Sequence, residues 1–310
     1  MHITKNKTTR ILFTPLIRFC EWMGEHYPVL LIRLRYFARF KKLLRLRNPR
    51  DLNEKILYLK LLTDTTEWSR LADKYRVRDY VKECGLEETL IPLLGVWNKV
   101  EDMDFDNLPK SSIFKANNGC WPGSTLVIKD VTKVNRDVLK RIFESWFNQK
   151  RIGALSAEPH YKHIKPCIIS EELLPIEDGH KSLVDYKIWC FNGKAYYIWT
   201  CSDRDDKATS VMTYSREWVA MPEVCIFNNS YQKGELMPKP ENLDRMLYVA
   251  ETLSHGFPCV RVDLYNVNNH IYFGEMTFTS LGGMMDFYTE DFLLDCGNKI
   301  DFSNVKMKKS

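Results

Sequence analysis

The chain has 310 residues, enough for more than one hydrophobic core, and its ordinary composition, 45% hydrophobic and 27% charged, excludes a collagen-like, disordered or low-complexity protein. Nine cysteines, with no CxxC pair and no His/Cys cluster at zinc-finger spacing, argue against a disulfide framework or a structural zinc and fit a reducing, cytoplasmic setting. The net charge of +5 conceals an asymmetry: twelve Lys and Arg against two Glu fall in the first fifty residues, leaving the rest net acidic.

The opening stretch "FTPLIRFCEWMGEHYPVLLIRLRYFARFKKLLRLR" is apolar but broken by Pro15, Glu21, Pro28 and recurrent arginines. No run reaches the roughly 18 to 20 residues that a membrane span needs, and no apolar core precedes a small-residue cleavage site. Residues 29 to 47 read as a basic amphipathic helix, which packs on the body, lies on an anionic membrane surface or binds nucleic acid. No nucleic-acid-binding module follows it.

"RNPRDLNEKILYLKLL" predicts a turn and then a helix capped by Asp51 or Asn53, with Ile56, Leu57, Leu59 and Leu62 as its stripe. "RLADKYRVRDYVKECGL" repeats the format, with Leu71, Tyr75, Val77 and Val81 apolar and a stop near Gly85. "TLIPLLGVW" reads as a strand, "LPKSSIFKANNGCWPGSTLVIKD" as strand, glycine loop, strand, and "NRDVLKRIFESWFNQ" as a helix. "KPCIISEELLP" reads as a strand ending in acids. "LVDYKIWCFNGKAYYIWT" is a hairpin about Asn192-Gly193, "NLDRMLYVAETLSHGF" a helix, and "PCVRVDLYNVNNHIYFGEMTFTS" a second hairpin. Helices followed by a strand-rich body give an α+β class.

Two stretches carry chemistry. In "FKANNGCWPGST" a lysine ends an apolar run and a two-glycine loop follows; bare backbone N–H groups beside a cation make a phosphate cradle. It is not a P-loop, because no Lys-Ser/Thr follows the second glycine. In the last hairpin, strand parity puts Arg261 and Asp263 on one face, and Glu275, Thr277 and Thr279 on one face of the returning strand. If the two polar faces coincide, two carboxylates and an arginine stand together, which suits a magnesium ion shared with substrate phosphates.

These motifs, with "CIISEELL", "LNEKILYLKL" and "DKYRVRDYV", resemble the ATP-grasp superfamily, and specifically its TupA-like branch, associated with teichuronopeptide and surface-polysaccharide synthesis. The likeness covers about residues 48 to 300. It implies an ATP-grasp fold, two α+β lobes clasping ATP after a helical N-terminal region. The corresponding division is an extension at 1–47, a pre-grasp region at 48–108, a small lobe at 109–175 and a large lobe at 176–310. It further implies Lys74 and Lys115 as phosphate lysines and a closing loop from Gly119 to Thr125 that includes Gly123 and Ser124. Glu171, Glu172 and Leu174 would lie in the hinge, Asp185 at the ribose and Lys187 in the ATP site. Asp263 and Glu275 would be magnesium ligands and Arg261 would stabilise the transferring phosphoryl group. Thr277 stands where many ATP-grasp enzymes have Asn, and Trp121 and Pro122 stiffen a loop that usually holds small residues.

The activity implied is ATP-dependent carboxylate–amine ligation through an acyl phosphate, with a carboxylate donor and a small-molecule or saccharide acceptor. Other readings are a kinase acting on a hydroxyl, a glycosyltransferase using the DxD of Asp203 and Asp205, and a decayed scaffold. Lys187, Arg204 and Lys207 are positions that an acidic donor would meet, or are simply solvated.

Overall fold

Pro28 occupies the first turn of a helix, where its missing N–H costs nothing, so the apolar N-terminal stretch folds as a hairpin of two helices, α1 (Lys7–His26) and α2 (Pro28–Phe40). The computed structural model describes residues 7–177, 179–204, 208–303 and 305–308, with side chains from residue 14. Helix α2 stops well short of residue 47: Lys41 turns left-handed at φ 56° and its N–H bonds to the Phe37 carbonyl. Ile32 and Tyr36 on its inner side pack with Leu57, Leu61 and Met284.

Asp51 caps α3 (Leu52–Leu62) by accepting from the Glu54 N–H. Asn53 is not the cap; it is buried, and its amide exchanges two hydrogen bonds with the Met285 backbone. The next segment forms two short helices, α4 (Thr66–Leu71) and α5 (Val77–Glu83), rather than one. The break is made by Asp73, whose Oδ1 accepts from the N–H groups of Tyr75 and Arg76 and so holds a turn, leaving Tyr75 exposed instead of in the core.

The smaller sheet contains β1 (Leu93–Trp97), β2 (Ser112–Ala116), β3 (Thr125–Ile128) and β4 (Ile168–Glu171) in the order β1-β4-β2-β3. Helix α6 (Arg136–Phe147), capped by Asn135, lays Leu139, Phe143 and Trp146 on Phe114 and Ile168. The larger sheet runs β10-β9-β5-β6-β7-β8 from β5 (Asp185–Phe191), β6 (Lys194–Ser202), β7 (Thr209–Ser215), β8 (Tyr231–Lys233), β9 (Cys259–Val267) and β10 (His270–Thr277). Helix α7 (Leu243–Ser254) covers one face through Met246, Leu247, Ala250 and Leu253, and α8 (Glu290–Asn298) adds Phe292 and Leu293. Leu52, Ile56, Trp68 and Val81 of the preceding helices join that same core, with Trp68 stacked on Phe278 at 4.7 Å.

His160, 1% exposed, packs edge-on to Trp68 and its Nδ1 has no hydrogen-bond partner. Burial, helped by the nearby Lys60 ammonium, pushes its pKa down to about 3. Between pH 6.5 and 3 the unfolded chain therefore binds a proton that the folded chain refuses, so stability falls as pH drops through that window, by at most about 1.4 kcal/mol per unit. His160→Phe is expected to flatten this slope. Urea unfolding of both proteins at pH 7.5 and pH 5 measures it, and equal losses would remove the effect from His160.

Candidate functional site

Alternation along β9 sends Val260, Val262 and Leu264 into the core and leaves Arg261 and Asp263 on the opposite face. Counting out from the Asn268-Asn269 turn, Leu264 pairs with Phe273, so an unbroken ladder would set Gly274 opposite Asp263 and turn Glu275 toward the core. A bulge intervenes. Glu275, not Gly274, lies opposite Asp263, and Thr277 lies opposite Arg261. Gly274 permits this because a Cβ there would meet the Asp263 carbonyl oxygen at 3.0 Å. Lys187 of β5 pairs with Asp263 from the other side, and Trp199 of β6 with Lys187, so Glu275, Asp263, Lys187 and Trp199 form one row across four strands.

The charges of this row are interlocked. Asp263 takes Arg261 Nε at 2.7 Å and Nη2 at 2.8 Å, and Lys187 Nζ at 2.6 Å, so both its oxygens are engaged. Arg261 also donates to Ser280 Oγ at 2.7 Å and Thr277 Oγ1 at 3.1 Å. Thr277 Oγ1 donates in turn to Glu275 Oε1 at 3.0 Å. Asp185 holds Arg204 at 2.7 Å and lies 3.4 Å from Lys187. Burial opposes the charge of Lys187, but Asp185 and Asp263 outweigh it and raise the ammonium's pKa.

Lys74, about 200 positions away in sequence, closes the cluster: its ammonium lies 3.4 Å from Glu275 Oε2 and donates to the Gly119 carbonyl at 2.9 Å. Its delivery depends on buried Asn117, whose Nδ2 donates to Asp73 Oδ1, whose Oδ1 accepts from the Cys167 N–H, and whose carbonyl accepts from the Lys74 N–H. The loop from Gly119 to Thr125 is tight. A Cβ at Gly119 would meet that of Ser124 at 2.5 Å, Gly123 needs its φ of 86°, Ser124 is buried, and Thr125 opens β3 opposite Lys115.

Lys115 does not join the row. Its ammonium is held by Glu171 Oε2 at 2.7 Å, and Arg78 takes the other oxygen at 2.9 Å. Glu172 anchors its N–H on the Pro92 carbonyl, and Leu174 is buried with Ile91 and Val267. Of the DxD pair, Asp203 accepts from the Lys181 N–H, while Asp205, like Lys207, lies outside the described residues.

A cavity of about 580 Å³ opens over the row. Lys74, Lys187, Arg204 and Arg261 line it, and so do Arg35 and Arg39 of α2, against two carboxylates, Glu158 and Glu275. Glu158 accepts from Thr279 Oγ1 at 2.5 Å, and burial raises its pKa more than Lys60 and the Thr279 bond lower it. Sequence reasoning missed Arg35, Arg39, Asp73, Arg78, Asn117, Glu158 and Ser280. All but Glu158 sit inside stretches quoted above, but nothing in the residue order of those stretches signals that they meet at the site.

Among the described residues no group of three or more His, Cys, Asp or Glu is placed to hold a metal unaided. Glu275, 39% exposed at the cavity, is a hard oxygen donor that suits a magnesium ion completed by nucleotide phosphates. Asp263, the other expected ligand, is instead 2% exposed with both oxygens taken by Arg261 and Lys187.

Two sheets, a glycine loop with its lysine, and an acid–arginine row beneath a cavity define a protein of the ATP-grasp fold. The chain belongs to the TupA-like ATP-grasp family, whose model matches residues 54–301. Members of the ATP-grasp superfamily bind ATP and are ATP-dependent ligases or related enzymes. Similar solved structures include a D-alanine–D-alanine ligase from Bacillus anthracis complexed with ATP, 15% identical over 76% of this chain and 63% of that one, with a TM-score of 0.42. The Helicobacter pylori D-alanine–D-alanine ligase is 13% identical over 82% and 68%, with a TM-score of 0.43. The chain thus spans 63% of the length of the Bacillus ligase. No curated protein sequence matches it.

Proposed function

We propose that this chain is an ATP-dependent carboxylate–amine ligase that works through an acyl phosphate in the synthesis of a cell-surface polymer. The observation that carries this reading is the meeting of Lys74 and Gly119 with Glu275 over the Arg261–Asp263–Lys187 row. Phosphoryl transfer asks the protein mainly for positioning and charge stabilisation, and this is the inventory for both.

A donor carboxylate oxygen attacks the γ-phosphorus of ATP and ADP leaves; an amine then attacks the acyl carbon, phosphate leaves, and an amide remains. Arg261 and Lys187, locked in place by Asp263, face the charge that grows on the transferring group. Lys74, tied to the Gly119 carbonyl, meets the phosphates from the other side. Magnesium, held by Glu275 with Thr277 as a neutral neighbour, would offset phosphate charge. The surplus of cations over carboxylates around the cavity supports an acidic donor or acceptor, with Arg35, bonded to the Leu155 carbonyl, and Arg39, paired with Asp286, on the cavity wall.

The test is ADP release by the full chain with Mg-ATP and a panel of acidic amino acids and uronic or amino sugars, with hydroxylamine present to trap acyl phosphate as a hydroxamate. Amide or hydroxamate formation matched to ADP supports the ligase. A phosphorylated hydroxyl, or consumption of a sugar nucleotide instead of ATP, overturns it.

A further inference from the structure

Helix α2 is apolar on two sides, which a helix packed on one body does not need. Ile32 and Tyr36 bury themselves against the body, at 0% and 4% exposure. Leu30, Leu34 and Phe37, spaced by four and three residues along the outer side, stay 51%, 54% and 51% exposed. On α1, Leu16, Phe19 and Trp22 repeat the pattern at 54%, 54% and 39%, and Tyr27 stands exposed in the turn between the helices. Of the twenty large apolar side chains exposed among the described residues, eight fall between positions 16 and 43, so the patch is concentrated and not scattered.

The charges around it choose the occupant. Arg18, Arg33, Lys41, Arg45 and Arg47 are all exposed, in the segment where Lys and Arg outnumber Glu twelve to two. A second copy of the hairpin would bring like charges together, whereas an anionic lipid surface attracts them and receives the apolar side chains between its headgroups. Trp and Tyr at the edge of such a patch suit the headgroup region. No described helix is long and apolar enough to cross a membrane, so the contact is a surface one.

We propose that the outer face of the α1–α2 hairpin docks this protein on an anionic membrane surface, with Leu30, Leu34 and Phe37 inserted and the exposed arginines and lysines paired with lipid headgroups. Arg35 and Arg39, on the other side of α2, line the cavity, so the docked helix is also one wall of the cavity. The proposal stands whether or not the chain ligates an amide.

Cosedimentation of the full chain with vesicles of phosphatidylcholine containing about one third phosphatidylserine tests it. Binding is expected at low salt, at least tenfold weaker on phosphatidylcholine alone, and weakened as salt screens the charges. The triple variant Leu30→Glu, Leu34→Glu, Phe37→Glu is expected to bind at least tenfold more weakly with an unchanged circular dichroism spectrum. Should it fail to fold, Leu34→Glu alone, at a half-exposed position, is expected to lose binding severalfold. No pelleting of the wild-type chain on anionic vesicles, or undiminished pelleting of a folded variant, overturns the proposal. So does a concentration-dependent dimer that the same substitutions abolish.

Discussion

Glu275→Gln is expected to lower the rate of ATP turnover by about 100-fold to 1000-fold, the cost of removing one charge contact aimed at a transferring group, together with a loss of folding stability at neutral pH. The side chain is 39% exposed and faces the cavity, so the isosteric amide fits the same space. Glutamine can still accept from Thr277 Oγ1, but the negative charge opposite Lys74 is gone. That charge is firmly held: burial opposes it, yet Lys74, Lys187 and Arg261 together outweigh burial and keep the carboxyl at about 2. Glu275 is therefore ionised at every working pH, and an acid limb near neutrality belongs to another group. Because its folded pKa is depressed, its contribution to stability is present above the unfolded value of about 4.3 and is lost as pH falls toward 2. ADP release and thermal melting of the two proteins check both parts; wild-type turnover in the variant removes Glu275 from the chemistry.

Lys187→Met is expected to cost about 3–5 kcal/mol of stability, the range found when one partner of a buried charge pair is removed. The Lys187 side chain is 11% exposed, and without its ammonium Asp263 keeps Arg261 and Asp185 keeps Arg204 as ion-pair partners. Methionine fills the volume but leaves two carboxylates in a poorly solvated row. Urea denaturation at pH 7 measures the loss, and a cost under 1 kcal/mol would mean that water already reaches the row freely. Turnover should fall as well, since Asp263 would no longer be fixed between two cations.

Eight of the ten strands among the described residues and most helices were legible because their signals are local: the Asn192-Gly193 turn, the Asp51 cap, and the alternation of β5 and β9 each depend on neighbours in sequence, whereas β7 and β8 were not read from it. Parity within each strand of the last hairpin was legible too, but not the joint orientation of the strands. Only the bulge at Gly274 makes the polar faces coincide, and a bulge depends on cross-strand contact that residue order does not reveal. The split between α4 and α5 was hidden for a similar reason, since Asp73 reads as an ordinary helix-surface acid until Asn117 is seen beneath it. Lys115 shows the reverse: its motif suggests a phosphate lysine, while Glu171 and Arg78, distant in sequence, decide where its ammonium rests. The basic N-terminal segment announced charge and apolarity, but that one side of α2 would turn Arg35 and Arg39 into the cavity follows from packing alone.

In the proposed enzyme Lys74 and the Gly119 loop meet Glu275 and the Arg261–Asp263–Lys187 row around one nucleotide triphosphate. Calorimetric titration of the full chain with a non-hydrolysable ATP analogue and magnesium decides whether they do. Saturable one-to-one binding is expected, weakened at least tenfold in Lys74→Met and dependent on magnesium in wild type but much less so in Glu275→Gln. Absence of binding, or equal affinity and equal magnesium dependence in all three proteins, would rule this arrangement out.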